Sequence, residues 1–103
     1  MQRVLFDPKY VNETVEETFD FATRLGAGET LVGASAYSVV YSGTDPLAFL
    51  LVFGAASIAG SVVGQLVTGG VAGVVYSLVC RATTSTGQAL ELVGRLAVLG
   101  ETT

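Results

Sequence analysis

The sequence has no histidine and no tryptophan, a single cysteine, two prolines and only five basic residues in 103. Each shortage removes a class of function. Without histidine, neither a Ser-His-Asp nor a Cys-His arrangement can be assembled. Cys80 has no second cysteine for an intrachain disulfide, and a zinc site would need Cys and His clusters that are absent. Five basic against nine acidic residues leave a net charge of −4 and a pI near 4.4. That balance argues against a nucleic-acid module, whose affinity comes largely from Lys and Arg on phosphates. Glu13, Glu16, Glu17 and Asp20 form the one acidic cluster, and their spacing matches no calcium loop. Gly26-Ala27-Gly28 begins a dinucleotide motif, but Leu31 stands where its third glycine belongs, so the segment reads as a turn. No enzyme activity, cofactor or metal is expected.

Charge is scarce as well, at 14% of residues, with none between Asp45 and Arg81. Half the chain is hydrophobic and the mean hydropathy is +0.61. Leu47–Val67 is long enough to cross a membrane as a helix, which takes about 20 residues. Its flanks argue otherwise: Asp45-Pro46 precedes it and no Lys or Arg cluster adjoins it. Gly, Ser and Ala fill much of its middle, so the strongly apolar part is Leu47–Phe53, the length of a buried strand. The N-terminus has no long apolar stretch of the kind a signal peptide needs.

What is abundant favours β-structure. Val, Thr and Ile together make 28 of the 103 residues, and 13 glycines punctuate the chain where turns would fall. In Val74–Thr84 the even positions carry Val74, Tyr76, Leu78, Cys80 and Ala82; in Gln88–Leu99, Leu90, Leu92, Leu96 and Val98 share a face. Both are period-2 patterns with one buried side, and Thr84-Ser85-Thr86-Gly87 between them supplies a turn. A long antiparallel hairpin is expected there, with Tyr76 in the core and Cys80 facing inward. Upstream, strands are expected at Val15–Thr23 and at Leu31–Tyr41, the latter with Leu31, Tyr37, Val39 and Tyr41 on one face. Further strands are expected at Leu47–Phe53 and Ser61–Thr68, the last ending at Gly69-Gly70; Gly54–Gly60 is left unassigned. Six or seven strands with frequent turns imply an all-β fold, an immunoglobulin-like antiparallel sandwich. Residues 1–12 hold Pro8, mixed charge and little periodicity, and read as an N-terminal arm; 13–103 form the sandwich domain.

With the strands laid out, several short motifs resemble those of the fiber-tail adaptor family of tailed bacteriophages. They are Phe6-Asp7-Pro8, Thr18-Phe19-Asp20-Phe21 through Leu25, and Gly28-Glu29-Thr30-Leu31. The most specific part is Gly69 through Tyr76 followed by Thr83–Gly87, which resembles the family's closing hairpin. Phe21 and Tyr37 stand where that family's pattern has tryptophan. The resemblance implies a virion protein made in the host cytoplasm and assembled in several copies around the tail or neck. Its partners would be tail, neck and fiber proteins and copies of itself. From the arm and these motifs, Phe6, Asp7, Pro8 and Asp20 are the expected partner-binding residues, and Gly69, Gly70, Gly73 and Gly87 the expected turn residues around Tyr76. A capsid decoration or head-closure protein, and a small membrane protein anchored by residues 47–67, are the alternatives.

Overall fold

The computed structural model describes residues 3–100, the side chains of Arg3 and Val4 apart; Met1, Gln2 and Glu101–Thr103 lie outside the described residues. The described chain is all-β, in two sheets. The strands are β1 (Arg3–Leu5), β2 (Lys9–Tyr10), β3 (Thr14–Asp20), β4 (Leu31–Ser42), β5 (Val52–Ala59), β6 (Val62–Thr68), β7 (Val75–Thr84) and β8 (Ala89–Leu99). The larger sheet has the order β1-β8-β7-β4, with β2 also pairing with β8; the smaller has the order β3-β6-β5. Pairing is antiparallel throughout, except that β1 and β2 run parallel to β8. Among the described residues no helix is long and apolar enough to cross a membrane.

The β7–β8 hairpin is the centre of the fold. Its register runs from Val75 opposite Ala97 to Thr83 opposite Ala89. The turn closes through the Thr84 N–H on the Gln88 carbonyl (2.9 Å) and the Gln88 N–H on Thr84 Oγ1 (3.1 Å). One face of the hairpin, with Tyr76, Leu78, Cys80, Leu92, Leu96 and Val98, is buried against Phe19, Val63 and Val67 of the smaller sheet. The expected two-strand pattern is thus present in these residues. Burial pushes the Cys80 thiol up to about 11, so it stays protonated and packs as a small apolar group.

Three expectations are corrected. Leu47–Phe53 is not one strand: Ala48–Leu51 is a 3₁₀ turn and β5 begins at Val52. The cause is Asp45-Pro46. Asp45 Oδ1 accepts the Leu47 N–H (2.9 Å) and its carbonyl accepts the Ala48 N–H (3.2 Å), which winds the chain before it can extend. Ala48 and Leu51, three apart, are buried, while Leu47, Phe49 and Leu50 are exposed. The second correction concerns β4. Its register shifts between Leu31 and Gly33 against Thr84 and Thr83. Leu31 therefore faces the core while Tyr37, Val39 and Tyr41 are exposed, because an extra residue inverts the alternation beyond it. Third, the strand expected to reach Thr23 ends at Asp20 and is followed by a 3₁₀ turn at Ala22–Arg24. Asp20 Oδ1 accepts the Ala22 N–H (2.9 Å), a local side-chain bond that competes with the ladder.

The unassigned Gly54–Gly60 also has a definite form. The β5 register jumps from Phe53 opposite Leu66 to Ser57 opposite Gly64, leaving a bulge that faces Gln65. Gln65 is buried, and its Nε2 donates to the carbonyls of Phe53 and Gly54 (both 3.1 Å) and of Leu66 (3.0 Å). Carbonyls that the bulge removes from the ladder are satisfied by one side-chain amide.

Candidate interaction surface

The N-terminal segment lies along β8. β1 pairs Arg3 with Val93 through Leu5 with Arg95, and β2 pairs Lys9 with Val98 and Tyr10 with Leu99. Between them Phe6 turns into the body of the protein. Its ring meets Phe19 edge-on, with centroids 5.4 Å apart at 88°, and sits where a side chain on Gly94 would be. Asp7 and Pro8 are exposed. Lys9 is buried, its Nζ donating to the Tyr10 carbonyl (2.7 Å) and the Gly69 carbonyl (2.6 Å). The ammonium so fastens the N-terminal segment to the turn after β6. Burial pulls its pKa below the ordinary lysine value, against the raising influence of Glu13 and Glu17.

Glu17 points inward from β3 and is half-buried; burial and then the nearby Asp7 push its carboxyl up to about 7, with Lys9 opposing. A group whose pKa is raised on folding contributes stability below its unfolded value, near 4.5, and that contribution is lost as pH rises toward 7. Glu17→Gln is therefore expected to raise the urea midpoint at pH 8, change it little at pH 5, and flatten the decline between them. An equally steep decline in the variant would show that another group is responsible.

The sequence-selected residues thus separate. Phe6 is half-buried inside the domain, and Asp20 is exposed but holds the Ala22 N–H and the Ser61 hydroxyl (3.1 Å). Gly69, Gly70, Gly73 and Gly87 all have positive φ, in the turns flanking β7 and at its hairpin end. Gly70 is the most constrained. At φ 98° a Cβ there would lie 2.9 Å from Val98 Cγ2 and 3.1 Å from Leu51 Cδ1. Tyr76 is fully buried; its hydroxyl donates to Asp45 Oδ2 (2.7 Å) and accepts the Val71 N–H (2.8 Å).

Two surfaces were not singled out by sequence. The first is the apolar run at the start of β5, where Leu47, Phe49, Leu50 and Phe53 are 55–64% exposed. Leu66 stands opposite Phe53 and is exposed too, while Leu47 and Leu50 line a shallow depression with Val71. The second is the outer face of the larger sheet. Arg81 lies 5.6 Å from the Tyr37 ring centroid and pairs with Glu91 at 2.8 Å; Arg95 stacks 3.4 Å from the centroid of Tyr41. Ser77 stands between Arg95 and Val39 in register. Beneath these long side chains Ser77 and Val79 are only 8% and 7% exposed, although they sit on the outward side. Arg95 Nε is buried without a hydrogen-bond partner.

No individually curated protein matches the chain. The family comparison does: residues 9–96 match the podophage GP4 fiber-tail adaptor protein gp77. The matched span takes in β2 through most of β8, hence both sheets and both exposed surfaces. This chain belongs to the family of podophage fiber-tail adaptor proteins.

Proposed function

We propose that the chain is a virion structural protein that links tail fibers to the tail or neck through protein–protein contacts, with tail, neck and fiber proteins and copies of itself as partners. The observation that carries the reading is the apolar segment Leu47, Phe49, Leu50 and Phe53. These large side chains stand more than half exposed on a chain whose core is already closed over Tyr76, Phe19 and Leu96. A cluster of large exposed apolar side chains is the mark of a surface covered by a partner. The role needs shape and apolar area, and calls on no catalytic group or cofactor. Asp7 and Pro8, exposed beside the parallel strands, remain available to extend the contact, whereas Phe6 and Asp20 have internal work.

The test is Phe49→Ser with Leu50→Ser. Surface changes of this kind shift stability within about 0.5 kcal/mol, so the purified chain should unfold at nearly the wild-type urea concentration. Particles assembled with the variant should carry at least tenfold fewer fibers, counted by electron microscopy. A full complement of fibers would reject this patch as the contact.

A further inference from the structure

We infer that copies of this chain associate head to tail, the outer face of the larger sheet around Arg95 receiving the outer face of the smaller sheet at Glu16 from a second copy. The inference rests on the reading that the chain contacts copies of itself. It goes further by naming the two surfaces.

The first observation is the state of Arg95. Its guanidinium is stacked on Tyr41, its Nε is buried and unpartnered, and no carboxylate lies in salt-bridge range among the described residues. Arg81, on the same face, is already neutralised by Glu91. The face around Arg95 is apolar: Leu5 lies beside it in register at 85% exposure, and Val39 and Tyr41 are exposed across Ser77. A guanidinium held flat by an aromatic ring and surrounded by apolar groups binds a carboxylate more strongly than one in open water.

The second observation is where unpaired negative charge lies. On β3 the outward positions are Thr14, Glu16, Thr18 and Asp20, all exposed. Asp20 is held by Ala22 and Ser61. The Glu16 carboxylate rests above Gly64, whose missing side chain leaves room for it, and no cation pairs with it among the described residues. The carboxylate so lies on the outer face of the smaller sheet, over its middle strand β6. One molecule therefore presents an unanswered cation on one sheet and an unanswered carboxylate on the other. Because the surfaces differ, the contact is heterologous and propagates beyond a dimer.

Sedimentation of the purified full chain tests this with two charge reversals, Arg95→Glu and Glu16→Arg. Wild type should associate at low salt and dissociate as salt rises, since the pair is partly exposed. Each variant alone should sediment as a monomer, one carrying two negative surfaces and the other two positive. Mixed in equal amounts they should associate again, because each surface then meets its opposite; that recovery also shows that both are folded. A wild-type chain that stays monomeric, or association that salt leaves unchanged, would overturn the inference, as would self-association of either variant alone. The fiber count with Phe49→Ser and Leu50→Ser reads a different surface, so its failure and this one are distinguishable.

Discussion

Tyr76→Ala is expected to lower stability by about 3–5 kcal/mol, the range for removing a buried aromatic side chain. For a domain of this size that is a drop in melting temperature on the order of 20 °C. The ring is fully buried at the middle of the cluster formed by both sheets. Its hydroxyl adds a second role, because the Asp45 carboxylate and the Val71 N–H meet on it from two separate loops. Burial, and then the bond to Asp45, push the phenol up to about 12, so it remains a donor at any neutral pH. Tyr76→Phe separates the two roles. It keeps the packing, leaves both groups without their partner, and should cost about 1–2 kcal/mol. Urea unfolding of the two variants checks the pair. Equal losses would mean that the ring itself contributes nothing and the loops are all that it holds.

That residue was legible in the sequence because β7 and β8 each alternate cleanly, and one-sided burial leaves a period of two. Leu47–Phe53 was not legible in the same way. Seven apolar residues in a row carry no period, so a strand and a short turn look alike there. The deciding signal is Asp45-Pro46, because Asp45 accepts the Leu47 and Ala48 N–H groups that open the 3₁₀ turn. β4 shows another limit. Its residues alternate, but the register shift between Leu31 and Gly33 depends on β7 across the sheet and is invisible along one strand. The bulge in β5 is the same case, since its carbonyls are answered by Gln65 on the neighbouring strand.

The surfaces divide along the same line. Exposed Phe49 and Leu50 follow from the 3₁₀ turn, and an apolar run without a period carries no sign of that exposure. Arg95 and Tyr41 are far apart in sequence and meet only because β7 places Ser77, a small residue, between β8 and β4. Asp20 was marked by motif alone, and in the structure its carboxylate shapes the end of β3. Long-range register is what converts these residues into surfaces, and a single sequence holds little of it.

Gly94→Leu is expected to detach the N-terminal segment from β8 and to cost about 2–4 kcal/mol, as overpacking of a filled site and loss of a buried ring combine. A Cβ on Gly94 would lie 2.2 Å from Phe6 Cε2 and 2.5 Å from its Cζ, a distance no side chain can occupy beside the ring. Either Phe6 leaves or β8 bends, and β8 is held on one side by the whole β7 ladder. Phe6 should therefore leave, releasing its contact with Phe19 and drawing β1 with it. The segment through Phe6 would then be open to proteases, while the β7–β8 hairpin stays protected from hydrogen exchange. Phe6→Ala supplies the control: with the ring already gone, adding Gly94→Leu should cost much less than it does in the wild type, a non-additivity expected only for groups in contact. Fully additive losses would show that Gly94 serves the strand and not the ring. The comparison also bears on docking by the arm. Truncating residues 1–7 would remove Phe6 from the core together with Asp7 from the surface, so any failure to enter particles would mix instability with lost contact. Substituting Asp7 alone leaves Phe6 in place and isolates the contact.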